Sequence, residues 1–140
     1  MTNIEVLENK ISQVKKYLHI LEGYKKYKQM AIEDDLNLKG ALERYLYLVI
    51  QSTIDLAEGL VSFRKLRKPT TLADSFIILS EAGILSESLT DRMIKMTGFR
   101  NIITHDYADI DFDIVYGVLM EGVKDISLFL GEAESISGTS

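Results

Sequence analysis

The stretch ERYLYLVIQSTIDLAEGLV, residues 43–61, decides the fold. With Leu38 and Leu42 ahead of it, it places Tyr45, Leu46, Val49, Ile50, Thr53, Leu56, Leu60 and Val61 at steps of three and four, the spacing of a helix. Too many of its positions are apolar for a helix with one wet side, so it predicts the central, most buried member of an all-α bundle. Arg64, Lys65, Arg67 and Lys68 follow with positive charge, which is favourable at a helix C-terminus, and Pro69 stops the helix.

Upstream, Ile4, Leu7, Ile11, Val14, Leu18 and Leu21 form the stripe of an amphipathic helix that Asn3 can cap. The stripe shifts to Tyr24, Tyr27 and Met30, which predicts that this helix continues past Gly23 to near Asp34. Downstream, Thr70 or Thr71 caps a short helix with Leu72, Phe76, Ile77 and Leu79, stopped by Gly83. Ser86 opens a fourth helix through Leu89, Met93, Ile94 and Met96, with a bend expected at Gly98. Asp109 or Asp111 caps a fifth, which turns Phe112, Val115, Tyr116, Leu119, Val123, Ile126, Phe129 and Leu130 inward. Strand signals are weak, with one Pro and no Asn-Gly or Asp-Gly turn dipeptide. The expectation is an antiparallel bundle of about five helices. It forms a single domain over residues 1–134, followed by a frayed tail over 135–140.

A chain of 140 residues can bury one continuous core without metal or disulfide staples. Its 46% hydrophobic and 26% charged residues exclude both wholesale disorder and a membrane-embedded protein. Cysteine is absent, which removes disulfides, thiolate metal sites and cysteine nucleophiles. The N-terminal segment MTNIEVLENKIS has no signal-peptide pattern, so a cytoplasmic location away from membranes is expected. A net charge of -5 argues against coating nucleic acid by bulk electrostatics, so any RNA contact must be local.

The segment RNIITHDY, residues 100–107, carries the chemistry. At about 100° per residue, a helix brings Arg100, Asn101, Thr104, His105 and Tyr107 into one arc, with Phe99, Ile102 and Ile103 on the opposite side. An imidazole titrates at about 6.5 and can give or take a proton, and a guanidinium fork matches phosphate oxygens. Asn101 can orient either the imidazole or a substrate. Cleaving RNA without metal needs a base for the ribose 2′-hydroxyl, an acid for the leaving oxygen and a cation for the phosphate. One histidine cannot comfortably fill both proton roles. A second copy across a two-fold axis supplies the other, so a homodimer is a mechanistic requirement of this reading.

This segment resembles the R-x4-H-x-Y signature of the HEPN superfamily, in the form found in its HepT-like branch. The stretch 43–61, DSFIILSEAGIL and LTDRMIKMTGFRN resemble the same branch, over about residues 1 to 131. The resemblance implies a dimeric helical bundle acting as a metal-independent endoribonuclease, the toxin of a toxin–antitoxin pair. It assigns catalysis to Arg100 and His105 with Asn101 in support, and calls for no cofactor or metal. It also implies a cognate minimal nucleotidyltransferase antitoxin that transfers AMP to Tyr107. Such transfer would set negative charge beside Arg100 and block phosphate entry.

Plainer roles compete with these. The basic group Arg64, Lys65, Arg67 and Lys68 is a possible RNA contact or simply a capped, solvated helix end. Glu43, Arg44 and Asp55 are candidates for the cleft or the partner contact, or for ordinary surface pairing. Tyr17, Tyr24, Tyr27, Tyr45 and Tyr47 suit core or dimer packing better than base stacking. His19 has no ligand-type neighbour at metal spacing. The alternative function is a non-catalytic module that holds a nucleotidyltransferase partner or a nucleotide.

Overall fold

A computed structural model describes residues 3–105 and 111–137, without the side chains of Thr104, His105 and Ser137. Every regular element among the described residues is helical: α1 Ile4–Tyr24, α2 Gln29–Glu33, α3 Leu36–Phe63, α4 Asp74–Glu81, α5 Glu87–His105, α6 Phe112–Gly117, a π-helical turn Val118–Gly122, and α7 Val123–Ser137.

Side-chain caps start several of these helices. Asn3 Oδ1 accepts from the Val6 amide at 2.9 Å, and Asp35 Oδ1 accepts from Asn37 and Leu38 at 3.0 and 3.1 Å. Ser86 Oγ accepts from the Leu89 amide ahead of α5, and Asp111 Oδ1 accepts from Asp113 ahead of α6. Of the two aspartates expected to cap the last helix, Asp111 does so; Asp109 lies outside the described residues. α4 starts later than its threonines suggest, at Asp74, whose amide donates to Thr71 Oγ1 at 3.1 Å.

Three expectations need correction. α1 ends at Tyr24, and a turn intervenes before the short α2. Tyr24, Tyr27 and Tyr45 pack ring against ring there, at centroid distances of 6.0 to 6.5 Å, and the Tyr116 hydroxyl donates to the Tyr27 carbonyl at 2.8 Å. Tertiary packing thus overrides the local stripe. α5 runs through Gly98 to His105 as one uninterrupted helix, beyond the stretch ending at Met96 that the apolar pattern marks. α7 reaches Ser137, with Ile136 packed on the core, so helix replaces the first part of the expected tail.

Long-range contacts fix the helix directions. Leu7 and Lys10 of α1 lie against Gly59 near the end of α3, while Tyr17 meets Tyr45 near its start, so these helices run antiparallel. Arg92 pairs with Asp125 and Met96 lies against Gly122, which sets α5 antiparallel to the last helix. One continuous core runs from Leu7 to Ala133, with Phe76 and Phe129 edge to face at 5.3 Å in its middle. By length and composition α3 could cross a membrane, with a mean hydropathy of 1.3 over 18 residues; 56% of that window is buried in the bundle, as suits a core helix.

α3 and α4 end alike. Gly83, at φ 74°, closes α4 with amide bonds from Gly83 to Ser80 and from Ile84 to Leu79, both 3.0 Å. The same pair closes α3, from Lys65 to Ser62 and from Leu66 to Val61, but the left-handed position holds Lys65 at φ 57°. A side chain costs about 1–2 kcal/mol in that region. Lys65→Gly is therefore expected to stabilise the fold by about 0.5–1 kcal/mol, less than the full strain because glycine gains freedom when unfolded. A raised urea midpoint at unchanged slope is the readout.

Past this cap, Arg67 Nε donates to Glu81 at 3.0 Å, and its two terminal nitrogens donate to Asp74 at 3.3 Å. Asp74 also accepts from the Thr70 amide at 2.9 Å. That amide bond first, and Arg67 next, hold the Asp74 carboxyl below its ordinary pKa of 3.8. A depressed carboxyl stabilises the fold above its unfolded pKa and loses that contribution as pH falls through the lower folded value. Asp74→Asn is expected to be less stable than the parent at pH 7. Thermal melts between pH 7 and pH 2 should show that gap closing below about pH 4; a constant gap would remove the charge from the explanation.

Candidate active site

The exposed strip of α3 is polar and lies between α1 and α5. Arg44, exposed, and Tyr47, Gln51 and Asp55, half-buried, follow one another along it at helical spacing. α5 lays Arg100 onto this strip. Arg100 Nε donates to Gln51 Oε1 at 3.0 Å, Nη1 donates to Asn101 Oδ1 at 3.1 Å, and the guanidinium lies 5.4 Å from the Tyr47 ring centroid. Arg44 approaches the same ring at 5.4 Å. Two cations thus share one aromatic ring in a chain of net charge -5. A cation over a ring is worth about 0.5–1 kcal/mol at an exposed site, and more as water is excluded. The ring and the amide hold the planar guanidinium in place, sparing much of the entropy an arginine loses on gripping an anion.

Of the expected catalytic cluster, the structure brings Arg100 and Asn101 into direct contact, with Arg100 half-buried and Asn101 exposed. The α5 backbone reaches His105, but its side chain and the whole of Tyr107 lie outside the described residues. Phe99 is buried and Ile103 half-buried, as the arc requires. Ile102 departs from it: at 46% exposure it faces solvent beside Asn101 rather than the core.

Arg67, a sequence candidate for RNA contact, carries two carboxylates as described above, a structural engagement that ties the α3–α4 connection to α4. Arg64, Lys65 and Lys68 are exposed. Gln51 has no functional reading in the sequence, because its link to Arg100 spans 49 residues, and Tyr47, weighed there only for packing or base stacking, instead faces the Arg100 guanidinium. The one available signal is that Gln51 is polar in an apolar helix, at a register four residues from Tyr47 and Asp55.

Gln51 also faces the other way. Its Nε2 donates to Asp55 Oδ1 at 3.0 Å, and both residues line a groove of about 370 Å³ between α1 and α3. Asn9, Lys10, Gln13 and Tyr17 form its α1 wall. Burial first, and Asp55 next, raise the carboxyl pKa of neighbouring Glu58, while Lys10 opposes them. Among the described residues no group of three His, Asp or Glu side chains is arranged to hold a metal ion.

Comparison with known proteins sets this geometry in a family. The mRNA nuclease HepT of Shewanella oneidensis is 28% identical, covering 90% of this chain and 94% of that protein. The tRNA nuclease HepT of Aphanizomenon flos-aquae is 29% identical, covering 96% and 93%. Among solved structures, a tri-AMPylated Shewanella oneidensis HEPN toxin in complex with its MNT antitoxin superposes with a TM-score of 0.84 at 27% identity, covering 96% of this chain and 99% of that one. A toxin–antitoxin complex with AMP-PNP gives the same TM-score at 26% identity, covering 94% and 98%. A model of the family described as ribonuclease HepT-like matches residues 7–133, nearly the whole bundle from the first core leucine of α1 to the last core alanine of α7, and the chain belongs to that family.

Proposed function

We propose that this protein is an endoribonuclease toxin that cleaves RNA without metal at a cleft between two copies of the chain, and that a cognate nucleotidyltransferase antitoxin restrains it in the cytoplasm. The observation that carries this is the Arg100 guanidinium, fixed by Gln51 and Tyr47 on the exposed strip of α3, in a chain whose relatives are an mRNA nuclease and a tRNA nuclease. In this reading Arg100 binds the scissile phosphate and stabilises the charge that grows on it, with Asn101 orienting one side of the guanidinium. His105, one helical turn beyond Asn101, takes the proton from the 2′-hydroxyl, so that its oxygen attacks phosphorus. His105 of the second copy protonates the departing 5′-oxygen, leaving a 2′,3′-cyclic phosphate. Arg64, Lys65 and Lys68 lie on the exposed end of α3 as an outer electrostatic contact for RNA, with Arg67 mainly engaged by Asp74 and Glu81.

The antitoxin belongs to this reading because the related solved structures include a tri-AMPylated toxin bound to an MNT antitoxin. AMP on Tyr107 would bring a phosphate and a bulky nucleoside to the segment just beyond α5 and compete with RNA for Arg100.

His105→Ala is expected to lower the rate of single-stranded RNA cleavage in EDTA by about 10²–10⁴-fold, the usual contribution of a proton-transfer residue. Circular dichroism and sedimentation should match the parent. Arg100→Lys, which keeps the charge but loses the fork, should fall by about 10²-fold or more, since a point charge cannot hold phosphate and Gln51 together. Parental cleavage by both variants would reject the catalytic assignment and leave the non-catalytic binding module.

A further inference from the structure

The groove between α1 and α3 is distinct from the Arg100 cluster but wired to it. Gln51 forms the shared wall: its carbonyl oxygen accepts from Arg100 and its amide nitrogen donates to Asp55, each at 3.0 Å. A ligand that meets Gln51 on its groove side is therefore linked to the guanidinium through a single side-chain amide.

The groove's chemistry suits a base rather than a phosphate. Its α3 wall carries Asp55, with Glu58 one turn on, and the mutual repulsion of these carboxylates contributes to raising Glu58. An anionic group entering beside Asp55 would add to that repulsion. The α1 wall offers the side-chain amides of Asn9 and Gln13, the Lys10 ammonium and the Tyr17 ring. Amides and a carboxylate read the edge of an unpaired base, an aromatic ring supplies a stacking face, and Lys10 can meet a carbonyl oxygen. The volume of about 370 Å³ falls in the range of small-molecule sites, about 300–1,000 Å³.

We infer that this groove is the base-recognition subsite of the nuclease and that it prefers guanine, with Asp55 accepting from the adjacent N1–H and N2–H groups and Asn9 or Lys10 meeting O6. Guanine fits because it places two donors side by side, matching the two oxygens of a carboxylate, and an acceptor beyond them. Gln51 is then a positioning residue, locking base and phosphate in one register by holding Asp55 and Arg100 at once. The inference rests on the ribonuclease reading for its substrate class, but a binding measurement that needs no turnover tests it separately.

The experiment titrates the full-length protein with 2′-O-methyl RNA oligonucleotides, which cannot be cleaved. They carry guanine, inosine, adenine, cytosine or uracil at one position, and fluorescence anisotropy reads the affinity. Inosine differs from guanine only in lacking the N2 amino group. The parent is expected to bind the guanine oligonucleotide about tenfold more tightly than the inosine one, and Asp55→Asn to bind the two alike. Asn9→Ala, an exposed substitution with little bearing on folding, should weaken guanine binding while sparing uracil. Equal binding of guanine and inosine by the parent, or no measurable binding of any oligonucleotide, overturns the subsite. So does a change in sedimentation for Asp55→Asn or Lys10→Glu, which would make the groove a seam between copies of the chain. Base discrimination that persists when Arg100→Lys no longer cleaves would keep the subsite whatever becomes of the catalytic assignment.

Discussion

The 28-residue α3 supplies much of the core, and the site depends on what it places on the strip between α1 and α5. Burying a polar group costs free energy unless it finds a partner, so from Leu42 to Val61 the larger apolar side chains mostly turn inward and several polar ones collect toward α1 and α5, while buried Thr53 donates to the Val49 carbonyl. Arg44, Tyr47, Gln51 and Asp55 gather by that sorting alone. α5 brings Arg100 onto this row, and under the ribonuclease reading that makes it a phosphate-binding arrangement. The packing of α1, α4, α5 and α7 around α3 therefore does more than stabilise the bundle: it fixes which strip is exposed and which helix borders it.

The electrostatics follow the same economy. Proteins that hold nucleic acid through many phosphate contacts carry broad positive surfaces and bind with steep salt dependence. Here the net charge is -5, and the cations near the site are concentrated on one tyrosine ring. Under the ribonuclease reading the chain repels RNA at long range and accepts it where a guanidinium is already oriented. Discrimination must then come from short-range contacts, which suits a groove whose walls combine amides, a carboxylate, an ammonium and an aromatic ring with Leu48 and Ser52.

Helix starts and the core were legible in the sequence because they are local. Asn3, Ser86 and Asp111 announce helices through bonds closed within three residues, and the inward positions of α3 follow from its own periodicity. The misread features are set by residues far away in the chain. The break after Tyr24 is held by Tyr45 and Tyr116, and the helix runs on through Gly98, which is flanked by buried Thr97 and Phe99. The π-helical turn at 118–122 and the left-handed Lys65 have no compositional mark, since neither position holds the residue type that favours it. At the site, the contact between Arg100 and Asn101 could be read from RNIITHDY, whereas the part played by Gln51 could not. A hydrogen bond across 49 residues leaves no periodicity in either partner.

The exposure of Ile102 points to how the proposed site is completed. An isoleucine at 46% exposure beside Asn101 gains nothing from water, and one turn earlier Gly98 gives up about 1 kcal/mol of helix propensity at a position with nothing within 4 Å of an added Cβ. Neither residue serves the protomer's own core. Both lie on the exposed side of α5, four residues apart, where the missing side chain at position 98 leaves room for a second helix to approach closely. A second copy across a two-fold axis would cover Ile102 with its own equivalent and bring the second His105 that the proton inventory demands. Under the ribonuclease reading, two costs borne by the isolated chain and one gap in the acid–base chemistry would then have a common resolution in a second copy of the chain.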